Sequence, residues 1–167
     1  MLFVSAITTT MFAQTQKISD VAKFVSDTVN LGVIKQGNPT KGTYTVTNIS
    51  KSPIIIEQAN PTCGCTISDF TKTPIAPGQT GTINATYNAA NPGNFEKHLT
   101  VKFAGISEIK SITLKGEVKN AADYDKWKAD QDAILKKQQD EAAAAAAAGK
   151  KNHKHKKAKV TNTTSGN

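Results

Sequence analysis

A chain of 167 residues with 38% hydrophobic and 20% charged positions is long enough for one domain with its own core and too short for two. All 21 of its cations are lysines, set against 13 acids for a net charge of +8, and the lack of arginine argues against bidentate readout of phosphate or guanine. The basicity gathers at one end: residues 17–119 hold 11 lysines and 7 acids, residues 120–141 hold 4 and 6, and residues 142–167 hold 6 lysines and no acid.

Leu2 to Ala13 is an apolar stretch that ends in a small residue before Gln14, the look of the latter part of a secretory signal peptide spanning residues 1–13. It is shorter than the roughly 20 residues needed to span a bilayer. No cation precedes it, so the true start of the signal is expected upstream of Met1. The competing reading is a buried N-terminal strand. Cleavage after Ala13 removes both methionines and leaves no cysteine at the junction, so a soluble exported chain, periplasmic or secreted and without a transmembrane segment, is expected.

Residues 20–119 alternate short β-rich runs with turn signals, as an all-β sandwich does. Phe24-Val25 and Val29 to Ile34 supply the first strand or pair. Gly42 to Ile49 has period two, with Tyr44, Val46 and Asn48 on one face and Thr43, Thr45 and Thr47 on the other. Pro53 to Gln58 is a more continuous apolar run, which predicts a central strand buried on both sides. Beyond Cys63-Gly64-Cys65-Thr66 and the turn at Pro77-Gly78, Ile83, Ala85 and Tyr87 share a face, as do Phe95, Leu99, Val101 and Phe103. Ile112, Leu114 and Val118 close the last strand. Six to eight strands in this length suit an antiparallel immunoglobulin-like sandwich.

Residues 120–149 then read as a single polar, Ala-rich α-helix. Asn120 is a candidate cap, Tyr124, Trp127, Ile134 and Leu135 form a thin apolar stripe, Asp132 and Lys136 an i,i+4 pair, and Gly149 the stop. Residues 150–167 read as a disordered Lys-rich tail.

Val29 to Ile34, the Tyr44-x-Val46-x-Asn48 pattern, Cys63-Gly64-Cys65-Thr66, Pro74 to Gly78 and Leu114 to Val118 occur here in the order found in a family of bacterial exported proteins, domain-of-unknown-function family 1573, which the chain resembles over about residues 22–119. That family's module is similar to the immunoglobulin-like modules of cilia-associated and centrosomal proteins. The resemblance implies a sandwich fold and an envelope location, and no activity.

Chemistry-bearing residues are few. Cys63 and Cys65 have the tight spacing that only a compact backbone can close into a disulfide, and Gly64 permits it. Such a loop of about three residues contributes on the order of 1.6 kcal/mol in the chain-entropy description, a weak staple. Three readings stay open for the pair: small hydrophobes facing the core, a labile redox pair, or the start of a soft-metal site, for which His98 is the one further ligand in the sandwich. By strand parity His98 points outward beside Glu96 and Lys102, and Glu57 and Asp69 flank the loop without forming an acid and base pair. Lys150, Lys151, Lys154, Lys156, Lys157 and Lys159 form a candidate anionic-surface binding segment or a solubilising end, with no aromatic interleaved for stacking on bases.

The reading that follows is a non-catalytic exported binding or structural module of the cell envelope, without a cofactor and without specific nucleic-acid recognition. Its expected partner is an envelope protein or anionic surface, recruited by strand addition at an open sheet edge beside the threonine face of Thr43, Thr45 and Thr47. The alternative is a thiol redox or metal-handling protein centred on Cys63 and Cys65.

Overall fold

The computed structural model describes residues 16–158, so the signal-like segment from Leu2 to Ala13 lies outside the described residues. A single helical turn, α1 (Ile18–Val21), leads into β1 (Ala22–Phe24), β2 (Thr28–Lys35), β3 (Thr40–Asn48), β4 (Ile56–Pro61), β5 (Thr66–Phe70), β6 (Thr80–Tyr87), β7 (Gly93–Phe103) and β8 (Ile109–Lys119), and then α2 (Ala121–Ala158). The strands form two four-stranded sheets, ordered β1-β3-β6-β5 and β2-β8-β7-β4.

The period-two residues are the ones that meet between the sheets. Tyr44, Val46 and Asn48 of β3, Ile83, Ala85 and Tyr87 of β6, Phe95, Leu99, Val101 and Phe103 of β7, and Ile112, Leu114 and Val118 of β8 are all buried, while their strand neighbours are partly or fully exposed. Alternation thus sets the strand register, because a slip by one residue would carry every one of these side chains to the outside. Near the start of β7 Tyr87 stacks on Phe95 with ring centroids 4.1 Å apart, and at its end Phe24 meets Phe103 edge-on at 6.3 Å.

Three local expectations need correction. The sheets are not wholly antiparallel: β2 runs parallel to β8, from Thr28 opposite Thr113 to Lys35 opposite Lys119, with a bulge between Asn30 and Val33. The Pro53 to Gln58 run is not a central strand buried on both sides. Its end falls in β4, an edge strand paired with β7 alone, Ile54 bridges to Ile75, and Ile54 and Ile56 turn inward while Ile55 is exposed. Three consecutive isoleucines conceal this alternation, since one of them is spent on solvent. Nor is the helix stopped by Gly149: α2 runs on to Ala158. A helical glycine costs only about 1 kcal/mol relative to alanine, and seven alanines on one side with helix-tolerant lysines on the other outweigh it. The lysine-rich segment from Lys150 to Ala158 is therefore helical rather than disordered, and residues 159–167 lie outside the described residues.

Contacts divide the chain after Asn120 into two units, the sandwich and α2. Within α2, Tyr124 and Trp127 bring their rings to 5.7 Å, and Asp132 takes Lys128 at 3.7 Å as its partner rather than the expected Lys136. Ile134 and Leu135 are about half exposed. No helix among the described residues is long and apolar enough to cross a membrane.

The core carries one buried side-chain polar atom without a well-formed hydrogen bond among the described residues, the Tyr44 hydroxyl, which the Val29 backbone approaches. Burial pushes the Tyr44 pKa up from 10.0 to about 12, tempered by the backbone of Val29. Between these values the native chain keeps a proton that the unfolded chain has released, so stability falls as pH rises, by about 1.4 kcal/mol per unit. Tyr44→Phe removes the unsatisfied hydroxyl at little cost in volume. It is expected to leave stability at neutral pH unchanged or raised and to flatten the loss above pH 10, read from denaturant unfolding at a series of pH values. An unchanged alkaline slope would exclude Tyr44 as its source.

Candidate functional site

The chain leaves one sheet at Pro61 and enters the other at Thr66, and the crossing between them contains both cysteines. Its two ends are pinned by the strands it passes. The Thr62 amide and the Thr62 hydroxyl both donate to the His98 carbonyl, at 3.0 and 3.1 Å, and the Asn88 amide donates to the Cys65 carbonyl at 3.1 Å. Thr66 is buried, which anchors the start of β5. Cys63 and Cys65 are bonded to each other with their Cα atoms 5.5 Å apart, so neither is a free thiol. Cys65 packs against the core cluster, and the Thr66 Oγ1 lies 3.8 Å from the Cys63 sulfur. Gly64 between them has open space where a side chain would stand.

The other polar candidates are already engaged. His98 projects outward from β7, with Glu96 3.6 Å from its Nε2 and the Thr113 hydroxyl 3.2 Å from its Nδ1. Glu57 pairs with Lys102 at 3.0 Å and Asp69 with Lys72 at 3.9 Å, so the two acids flanking the loop face cations rather than each other. A groove of about 550 Å³ lies where β2 bulges from β8, lined by Asn30, Val33, Phe95 and Lys115 among others. Of its acids, Glu96 faces His98 and Glu117 is held by Lys119 at 2.6 Å. Among the described residues no three potential metal ligands gather.

The threonine face lies beside an open edge only at its Thr43 end, because β1 covers β3 from Val46 to Asn48 and Val25 adds one bond to the Thr45 carbonyl. Thr47 is flanked by both β1 and β6, whereas Thr43 has β6 on one side only. The free edges are β1, β5, β2 and β4, and three of them are blunted. β1 has only three residues, β2 is bulged, and β4 is both bulged and closed by Pro61. β5 is different, since its five residues pair with β6 without a register shift. On it Ile67 is 74% exposed. The Thr71 amide donates to the Thr82 carbonyl and the Asn88 amide to the Cys65 carbonyl, so odd-numbered residues of β5 bond inward to β6. By the alternation of an antiparallel ladder, the backbone groups of Ser68 and Phe70 then point away from the sheet. Of Ser68, the side chain reaches across to the Ala59 carbonyl on β4. Sequence reasoning missed this edge. No signal within Thr66 to Phe70 marks it, because polar Thr66 turns inside and apolar Ile67 outside, the reverse of what their polarity predicts.

Of the lysines singled out near the C-terminus, Lys150, Lys151, Lys154, Lys156 and Lys157 fall within α2, and Lys159 lies outside the described residues.

Comparison with known proteins places this geometry. The sequence matches the family described as protein of unknown function (DUF1573) over residues 22–118, which covers β1 to β8 but not α2. None of the curated proteins is similar enough to count as a relative. Among solved structures, a protein of unknown function from Porphyromonas gingivalis W83 is similar at 14% identity and a TM-score of 0.50 over 58% of this chain, which spans only 46% of that protein's length. The ASH/PapD-like domain 7 of human CEP192 is similar at 10% identity and a TM-score of 0.51, over 71% of this chain and 99% of that domain. At these identities the likeness is one of fold: an immunoglobulin-like, PapD-like sandwich.

Proposed function

The chain belongs, across its eight strands, to the DUF1573 family of proteins of unknown function, and from that premise we propose that it is a non-catalytic exported binding module of the cell envelope that docks an extended partner segment on β5. The observation that carries this reading is the β5 edge, unbulged, unpaired along Ser68 and Phe70 among the described residues, and crowned by an exposed Ile67. An added strand would take main-chain hydrogen bonds from Ser68 and Phe70, and an apolar side chain on the partner would cover Ile67. The signal-like segment from Leu2 to Ala13 supports export to the periplasm or beyond. The C-terminal lysines add diffuse attraction for an anionic envelope surface, a contribution that salt would weaken.

Ile67→Lys is the direct test. It is expected to leave stability within about 0.5 kcal/mol, as surface changes do, while lowering capture of the envelope partner at least tenfold. The control Ile109→Lys, at another exposed isoleucine on β8, leaves capture unchanged. In hydrogen exchange the Ser68 and Phe70 amides gain protection on adding envelope extract, whereas Ile67 and Asp69, already bonded to β6, do not change. Absence of new protection at Ser68 and Phe70 would rule out strand addition here.

A further inference from the structure

We infer that the Cys63–Cys65 bridge is a thiol–disulfide exchange site with a fixed polarity, in which Cys63 forms the bond to an outside thiol and Cys65 resolves it. The inference does not depend on what docks at β5.

Four observations carry it. First, the bridge encloses only Gly64, so it constrains almost none of the unfolded chain. The anchoring that a staple would supply is already present in the hydrogen bonds from Thr62 to His98 and from Asn88 to Cys65. Second, those bonds do not involve the sulfurs. They fasten the backbone at Thr62 and at Cys65, on either side of Cys63, without using the S–S bond, so reduction of the bridge removes none of them and would keep the pair poised to close again. Third, the pair is asymmetric: Cys65 packs against the core and Cys63 does not. Gly64, with open space where a Cβ would stand, adds no side chain to the loop that could crowd an incoming sulfur. Fourth, the buried Thr66 places its hydroxyl 3.8 Å from the Cys63 sulfur, where it can donate to a thiolate and favour ionisation of that cysteine over the other. Thr66 acts as a positioning residue.

The exchange balances with an external dithiol as the co-reactant. One of its thiolates attacks the Cys63 sulfur, the S–S bond breaks, and Cys65 leaves as a thiolate that takes up a proton. The second thiol of the reagent then attacks its own bridging sulfur, releasing Cys63 as a thiolate that is protonated in turn. Two electrons and two protons pass to the protein, and the reagent leaves as a disulfide. In the reverse direction the Cys63 thiolate attacks an external disulfide and Cys65 resolves the mixed species. With two cysteines in the whole chain, no internal thiol competes for either step.

The test uses the full oxidised chain and glutathione as the probe, two molecules of which stand for the dithiol: the first forms the mixed disulfide at Cys63, and the second attacks the first one's sulfur, releasing Cys63 and oxidised glutathione. At pH 7 reduced glutathione is expected to open the bridge in the folded protein, scored by acid quenching, alkylation and intact mass. The circular dichroism of the sandwich should persist in the reduced form. With oxidised glutathione, Cys65→Ser, which keeps Cys63, is expected to form its adduct at least tenfold faster than Cys63→Ser. Thr66→Val, nearly isosteric, should slow alkylation of Cys63 about threefold or more at pH 7 and not at pH 10, where the thiol ionises unaided. A bridge that opens only in denaturant, a reduced form that unfolds, or equal adduct rates at the two cysteines would overturn the inference.

Discussion

Replacing Asn48 by alanine is expected to cost about 3–5 kcal/mol of folding stability and to lower the melting temperature by roughly 15 °C or more. Asn48 is completely buried at the end of β3, and its side chain uses every hydrogen-bonding position that the surrounding backbone offers. Its Nδ2 donates to the carbonyls of Ser52 and Ile75, both at 2.8 Å, while its Oδ1 accepts from the amide and the hydroxyl of Ser50, also at 2.8 Å. One side chain thereby holds the loop after β3 to the segment before β6. The same residue's backbone bonds with Gln79 and Gly78. Alanine removes all four bonds at once: the Ile75 carbonyl keeps only the Ile54 amide, the Ser50 hydroxyl only its Ser52 partners, and the Ser50 amide loses its acceptor, each lost bond costing about 0.5–1.5 kcal/mol. Asn48→Asp separates shape from bonding. It keeps the acceptor for Ser50 but turns a second oxygen toward two carbonyls, so it should be at least as damaging as alanine at neutral pH and recover in part under acid, where the carboxyl can donate. Thermal melts of both variants at pH 7 and pH 4 decide the matter; a fall of less than about 5 °C for alanine would mean that the loops hold themselves.

Gly116→Ala should produce the second large effect, about 2–3 kcal/mol, through overpacking rather than lost bonds. A Cβ at position 116 would stand 2.7 Å from the Gly32 carbonyl oxygen and 2.9 Å from the Phe95 ring. The oxygen belongs to the bulged backbone of β2 and cannot turn aside as a side-chain tip can. Gly32→Ala is the matched control. No neighbour lies within 4 Å of its would-be Cβ, and its φ of +67° alone sets the cost, on the order of 1–2 kcal/mol. Denaturant midpoints should therefore rank wild type above Gly32→Ala and Gly32→Ala above Gly116→Ala. The opposite order would show that backbone conformation at the bulge, not space between β2 and β8, limits this pair of strands.

The inner face of the sandwich was legible because alternation in β3, β6, β7 and β8 is written in residue types: Tyr44, Val46, Ile83, Leu99 and Leu114 have nowhere else to go. What surrounds that face was less so. Which strands lie at edges depends on pairing between residues far apart in the chain, and no pattern within Pro53 to Gln58 reveals that β4 has a neighbour on one side only. The parallel union of β2 with β8 is invisible for the same reason. The end of α2 was misjudged because a single glycine was weighed without the helix-forming run on both sides of it. At the cysteine loop the spacing allowed a bridge, but the division of labour between Cys63 and Cys65 rests on which sulfur meets the core, a tertiary fact. Ile67 was overlooked because its exposure contradicts its hydrophobicity, and such a conflict becomes visible only when the strand's two faces are known.

The pairing of β2 with β8 also orders events in time. One sheet, made of β1, β3, β5 and β6, has all its strands once the chain has been made as far as Tyr87. The other cannot begin to close on β2 until Thr113 arrives and is not finished before Lys119. Contacts between residues so distant in sequence are slow to form, because most of the chain's freedom must be surrendered before they repay it. During synthesis β2 therefore waits without a partner and the inner face of the first sheet stays bare until β7 and β8 appear. A nascent chain of this topology has no complete core to lock it shut until almost the whole sandwich has been made, and it stays pliant for as long as its last strand is missing.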